Sequence, residues 1–325
     1  MPTRTESDAL SAVSEPLLPD VKMHLASPKE PVVGRVVESA PCTRGPKPSS
    51  FVRHITIDVS GTCLAGAFRS GQSFGVIPPG QDDKGRPHQV RLYSLACPSR
   101  GEDGSGNMIS TTVKRTIEEL GDEHRLYLGV ASNYLCDLQP DDEVRLSGPS
   151  GKRFLLPKNP AEYDYVFFST GTGIAPFRGM VRDLAALGMP SRAVLVSGVP
   201  YRTDLLYDDE FRAEAGRSGN FAYLTAVSRE PDGEGGRGSY IQDRIKTHAD
   251  VLLPLLNSPR TLIYMCGLLG MEMGVIRALQ SSLAREALSG FVTIDAAAAA
   301  SPSEWDRKML GRSIKTTRRV FVETY

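Results

Sequence analysis

The sequence predicts an all-β antiparallel barrel followed by an α/β domain built on a doubly wound parallel sheet. Three observations carry this. From Val32 to about Pro157, short β-branched segments alternate with Gly, Pro, Asn and Asp, the punctuation of antiparallel strands. From Tyr163 onward the rhythm changes to strand, turn, helix, which implies parallel strands with helices on both faces. A chain of 325 residues, 40% of them hydrophobic, is also long enough for two cores of ordinary size. The expected division is a flexible leader at 1–30, the barrel domain at 31–157 and the α/β domain at 158–325.

In chain order, the leader mixes acids, Ser, Pro and small residues without the apolar core of a signal peptide, and its acids disfavour an organelle transit peptide. Barrel strands are expected at 33–39, 51–59, 108–113 and 143–147, with one short helix near 132–138 capped by Ser132 or Asn133. Parallel strands are expected at 165–168, 193–197, 221–227, 261–266 and 320–322, and helices at 177–187, 240–256 and 271–288. The run Ala296 to Ala300 reads as a connection between helices. Ser301-Pro-Ser-Glu304 has the form of a capping box, which predicts a last helix through Leu310.

Composition narrows the function. The formal net charge is +0, which gives no electrostatic support to a nucleic-acid partner. No apolar run approaches the length of a membrane span. The five cysteines, Cys42, Cys63, Cys97, Cys136 and Cys266, are scattered without metal-ligand spacing. They read as free thiols of a cytoplasmic protein, with no metal site.

Two stretches suggest chemistry. Ser169-Thr-Gly-Thr-Gly-Ile-Ala-Pro-Phe-Arg-Gly179 follows a buried-strand pattern, and Pro176 suits the first turn of a helix. Gly171 and Gly173 allow a tight turn at the positive end of that helix, a seat for phosphate. Glycines at such turns are also often purely conformational. In Arg91-Leu-Tyr-Ser94, Arg91 and Tyr93 share one face of a strand and could offer a clamp for pyrophosphate beside a flat ring. A surface arginine and a core-edge tyrosine is the plainer alternative.

The order of motifs adds to this. Gly71-Gln-Ser-Phe-Gly-Val-Ile-Pro78, Arg91-Leu-Tyr-Ser94, Val113-Lys-Arg115, Gly129-Val-Ala-Ser-Asn-Tyr-Leu-Cys-Asp-Leu138 and Gly171-Thr-Gly-Ile-Ala-Pro-Phe-Arg178 occur in that sequence. They are followed by Ala226-Val-Ser-Arg-Glu230, Tyr240-Ile-Gln242, Met265-Cys-Gly-Leu-Leu-Gly-Met-Glu272 and Val322-Glu-Thr-Tyr325. The series closely resembles the plant-type ferredoxin–NADP reductase family from about Pro31 to the last residue. The resemblance implies an FAD-binding barrel and an NADP-binding α/β domain whose cofactors meet in the cleft between them. It implies a monomeric enzyme that moves electrons between NADP(H) and a carrier such as ferredoxin or flavodoxin.

By the family's pattern, FAD would be held by Arg91, Leu92, Tyr93 and Ser94, by Thr112, Val113 and Lys114, by Val130, Ala131 and Ser132, and by Thr172 and Tyr325. NADP would meet Thr172, Gly173, Val199 and Pro200, then Ser228, Arg229, Arg237, Tyr240 and Gln242, and finally Gly267, Leu268, Met271 and Glu272. Ser94, Cys266, Glu323 and Tyr325 match the catalytic positions, whose work is to align the nicotinamide C4 with the flavin N5. Tyr325 would lie on the flavin face that the nicotinamide must occupy, and would have to move aside. Cys266 as a small buried hydrophobe and Glu323 as a surface charge are the structural alternatives. A physical argument also favours NADP, because Ser228 and Arg229 stand at a strand end where NAD-specific folds place an acid for the ribose diol.

The chain departs from the family at several points. Ala131 replaces a usual cysteine, Glu118 stands where plastid members carry a tyrosine against the FAD adenine, and Leu269 replaces a basic residue. Arg237 is displaced by one position before Tyr240, and Gln89 replaces a docking lysine, so carrier docking is expected to be more apolar, through Val90 and Leu92. Two other readings share these motifs. One is the reductase component of an oxygenase, and the other is a silent flavin- or nucleotide-binding regulator.

Overall fold

The computed structural model describes residues 15–325 apart from 46–47, 122–123, 232–235 and 237. In the first half, β1 (Val32–Pro41), β2 (Val52–Asp58), β3 (Ser73–Ile77), β4 (Arg91–Ser94) and β5 (Met108–Lys114) precede a two-stranded hairpin, β6 (Ile117–Leu120) and β7 (Arg125–Leu128). Helix α1 (Val130–Asp137) and strand β8 (Glu143–Ser150) complete it. Six strands pair antiparallel in the order β4-β3-β8-β1-β2-β5. The two edges meet where Leu95 bridges Thr111, so the sheet closes on itself and removes its open edges. Inward residues at every second position, Ile55 and Ile57, Phe74 and Val76, Val144 and Leu146, are fully buried and fill the barrel.

The second half opens with β9 (Asp164–Thr170), α2 (Ala175–Ala186), β10 (Ala193–Val199), α3 (Asp208–Arg217) and β11 (Phe221–Val227). It continues through α4 (Arg244–Thr247), α5 (Ala249–Leu256), β12 (Thr261–Gly267), α6 (Met271–Ser282) and α7 (Arg285–Ser289). Last come β13 (Val292–Ile294), α8 (Ala296–Ala300), β14 (Ile314–Thr316) and β15 (Val320–Thr324). The order β11-β10-β9-β12-β15 is parallel throughout, with the direction of winding reversing between β9 and β12. Ligands of such sheets sit at that reversal, beyond the carboxyl ends of the strands.

Several expected elements differ, each for a local reason. Helix α1 begins at Val130 after Gly129, so Ser132 and Asn133 lie inside its first turn instead of capping it. There the Ser132 hydroxyl accepts the Thr116 N–H at 3.2 Å, and the Asn133 amide donates to the Thr116 carbonyl at 2.9 Å. The helix expected at 240–256 starts as a 3-10 turn, Ile241–Asp243, and breaks again at His248. The one expected at 271–288 breaks at Leu283 and Ala284, both extended. The alanine run forms α8, because Asp295 caps it by accepting the Ala298 N–H at 3.0 Å. In place of a last helix there are two 3-10 turns, Pro302–Glu304 and Arg307–Met309. Trp305 between them is extended and buried, with its indole N–H on the Ala298 carbonyl at 2.8 Å, a contact that a continuous helix would forfeit.

Residues 15–30 lie against both halves. Ala26 bridges Gly148, the Lys158 N–H donates to the Leu17 carbonyl at 2.8 Å, and Glu15 pairs with Arg318. Among the described residues no helix is long and apolar enough to cross a membrane.

The halves are joined by charge. Glu102 of the barrel receives Arg178 of α2 at 2.5 Å and Arg182 of the same helix, while Arg178 also reaches Glu210 of α3 at 2.8 Å. Burial opposes ionisation of Glu102, but the two guanidinium groups outweigh it and hold the carboxyl down at about 2. A depressed carboxyl stabilises the fold above its unfolded value and loses that contribution as pH falls through the folded one. Glu102→Ala should therefore cost about 3 kcal/mol in denaturant unfolding at pH 7, because the half-buried Arg178 and Arg182 are then left to share Glu210 alone. The difference from wild type should shrink as pH falls from 4.5 toward 2.

Candidate functional site

A cleft of about 1260 Å³ separates the barrel from the carboxyl ends of the parallel strands. Its barrel wall is made by Arg91, Leu92, Tyr93 and Ser94 on β4, Thr112 and Lys114 on β5, and Val130, Ala131 and Ser132 opening α1. The opposite wall carries Gly171 and Thr172 after β9, Val199 and Pro200 after β10, and Ser228 and Arg229 after β11. Tyr240, Gln242, Leu268, Met271 and Tyr325 complete it.

Not every candidate residue reaches the opening. Val113 faces the barrel core. Gly173 and Gly267 are spacers: a Cβ on Gly173 would lie 2.1 Å from the Cys266 carbonyl oxygen, and one on Gly267 would lie 2.1 Å from the Thr170 hydroxyl. Only glycine at both positions lets the turn after β9 rest on the end of β12, where Thr170 Oγ1 accepts the Leu268 N–H at 2.8 Å. Glu272 is buried and occupied, with one oxygen on the Gly270 N–H at 2.9 Å and the other on Arg307 at 3.0 Å. Arg237 lies outside the described residues.

Cys266 and Glu323 are paired in register across β12 and β15, one layer behind the cleft lining. Burial pushes the Cys266 thiol far up, so it stays neutral. Burial also raises Glu323 to about 7, which lets its carboxyl hold a proton near neutral pH. Tyr325 is 56% exposed, its hydroxyl 2.7 Å from Thr172 Oγ1 and its N–H on the Gly267 carbonyl at 3.0 Å.

Of the cations that line the cleft, Arg115 pairs with Asp137. Among the described residues Arg91, Lys114 and Arg229 form no ion pair, although each lines the cleft. A cleft that holds unpaired cations together with Tyr93, Tyr240 and Tyr325 suits a ligand that carries both phosphates and flat rings. Tyr127, which sequence reasoning passed over, also lines the cleft, and it stands directly opposite Glu118 in the β6–β7 register. Its signal was the apolar segment Leu126-Tyr-Leu128 shortly after Gly121.

Residues 167–277 match the family described as "Oxidoreductase NAD-binding domain". The chain is 36% identical to a ferredoxin–NADP reductase of Synechocystis sp. over 316 residues, covering 94% of this chain and 70% of that protein. It is 36% identical to the root-type chloroplastic isozyme of Nicotiana tabacum, covering 100% and 84% of the two chains. The chain belongs to the ferredoxin–NADP reductase family. A Spirulina sp. ferredoxin–NADP reductase is 33% identical, with 94% and 99% coverage. The same fold is seen in the ferredoxin–NADP+ reductase of Plasmodium falciparum, with a TM-score of 0.67 at 22% identity over 93% of this chain and 98% of that one. A second structure of that protein, with 2′P-AMP, gives a TM-score of 0.67 at 20% identity, covering 93% and 99% of the chains.

The raised Glu323 carboxyl has a measurable consequence. A carboxyl whose folded value is raised favours the fold while protonated, and that contribution is lost as pH rises from its unfolded value through 7. Relative to Glu323→Gln, which keeps the shape without the charge, wild type should lose about 2 kcal/mol of unfolding free energy between pH 4.5 and 8.

Proposed function

We propose that this reductase passes electrons between NADP(H) and a one-electron carrier protein, with FAD against the barrel wall and the nicotinamide coenzyme against the α/β wall. The observation that carries this reading is the set of unpaired cations, Arg91 and Lys114 on one wall and Arg229 on the other, in a cleft also lined by Tyr93, Tyr240 and Tyr325. FAD, when bound, takes electrons in pairs and releases them singly.

The chain's own residues supply position. Arg91 and Lys114 neutralise a pyrophosphate, Tyr93 supports a ring from the barrel side, and the first turn of α1 adds N–H donors at Val130 and Ala131. On the other wall Ser228 and Arg229 meet a 2′-phosphate, and the ring of Tyr240 meets the adenine. Tyr325 covers the place where the nicotinamide must lie. Its hydrogen bond to Thr172 breaks when the ring swings out, and water is excluded while it stays. Glu323 keeps a proton on its carboxyl behind Cys266, within the same layer of the site.

Leu92, 60% exposed, and Val130 form an apolar lip beside the barrel wall. The carrier, ferredoxin or flavodoxin, docks there with little dependence on charge. The protein acts as a cytoplasmic monomer, a setting in keeping with its five free thiols.

Anaerobic titration followed by flavin absorbance tests this reading. NADPH should bleach the flavin quickly and NADH slowly; a protein without flavin absorbance, or one that neither coenzyme bleaches, would overturn it. Tyr325→Ser should tighten nicotinamide binding and raise the rate with NADH by about tenfold, as the competing ring is removed. Difference spectra with the oxidised coenzymes read the binding directly.

A further inference from the structure

The turns that leave β10 and β11 run side by side at the far end of the cleft. The Ser228 N–H donates to the Val199 carbonyl at 3.0 Å and the Arg229 N–H to the Pro200 carbonyl at 2.9 Å. The next two residues of the first turn continue the contact with their side chains. The Arg229 guanidinium lies over the Tyr201 ring, 5.9 Å from its centre. The Arg202 N–H donates to Glu230 Oε1 at 2.9 Å, its Nε is 3.1 Å from Glu230 Oε2, and its Nη2 reaches the Pro231 carbonyl at 3.4 Å. Glu230 is the more enclosed partner, its side chain 29% exposed against 58% for Arg202.

This arrangement fixes a carboxylate two residues beyond Ser228, at the end of the strand that carries the phosphate-facing pair. An acid at such a strand end ordinarily favours an unmodified ribose diol and repels a phosphate. We infer that Arg202 sets the coenzyme preference of this reductase, by neutralising Glu230 and holding the Ser228–Arg229 turn against the end of β10. Arg202 is a positioning residue: it does not line the cleft, and it acts through Glu230 and the turn. The inference rests on the reading of Ser228 and Arg229 as a 2′-phosphate seat and extends it to a residue outside that seat.

The chemistry offers a selective test. Arg202→Ala removes the guanidinium but keeps the backbone N–H, so Glu230 stays tethered with its charge uncompensated. A uniform loosening of the turn would weaken all nucleotides alike, whereas an uncompensated carboxylate discriminates by ligand charge. The purified holoprotein and its variants are titrated with adenosine 2′,5′-bisphosphate and with adenosine 5′-monophosphate, and binding is read by calorimetry. Arg202→Ala should weaken the bisphosphate about fivefold and the monophosphate by less than twofold, a size set by one unscreened charge near the surface. Adding Glu230→Gln to Arg202→Ala should restore the wild-type ratio, because the amide still accepts the N–H without the charge. Equal losses for both ligands, an unchanged ratio, or a loss that Glu230→Gln leaves in place would each overturn the inference. A wild-type protein that binds the two ligands equally would overturn the 2′-phosphate seat itself, and the inference with it.

Discussion

Glu102 sits between two arginines of one helix, and the geometry of the cleft depends on that contact. Helix α2 begins directly after the Gly171–Ile174 turn that faces the cleft, and it carries Arg178 and Arg182 one and two turns later. A rigid helix thus ties the cleft-facing turn to the barrel loop that holds Glu102. Gly179 on the same helix allows close approach, since a Cβ there would lie 2.3 Å from the Cys97 carbonyl oxygen. Ser99 adds its N–H and hydroxyl to Asp183 at 3.0 and 2.6 Å. Two walls that face each other across one cleft are useful only at a fixed separation, and an ion cluster with satisfied hydrogen bonds supplies that rigidity.

Within the α/β half, the same problem is solved by backbone contact. Gly173, Gly267 and the Thr170 hydroxyl bring the ends of β9 and β12 together at the point where the sheet reverses its winding. Thr172 is thereby presented toward Tyr325, the residue that closes the cleft. The glycines shape the site by letting these two strand ends approach.

The central parallel strands β9, β10 and β12 were legible in the sequence because both faces of each are buried, which writes them as nearly continuous apolar runs. Their ends were legible too, and so Ser228 and Arg229 could be placed at the cleft. The order of motifs carried the family. What lay beyond the sequence was depth. Gly173 and Gly171 look alike in a motif, as do Glu272 and Glu323, and only packing separates a spacer from a lining residue or an occupied carboxylate from a protonated one. Helix α3 escaped notice because its sequence is mostly charged and only Phe211 is buried. The region 301–310 misled because local capping chemistry gave way to burial of Trp305, a tertiary demand that outweighs local preference.

Residues 15–30 have a consequence for the order in which the molecule is finished. They leave the ribosome before every segment they touch, yet their partners lie at Gly148, Pro149 and Lys158, and Glu15 is separated from Arg318 by 303 positions. Neither half of the protein can complete this seam alone. The seam is therefore complete only once both halves are in place, while its contacts at Cys63 and Gln72 belong to the barrel alone.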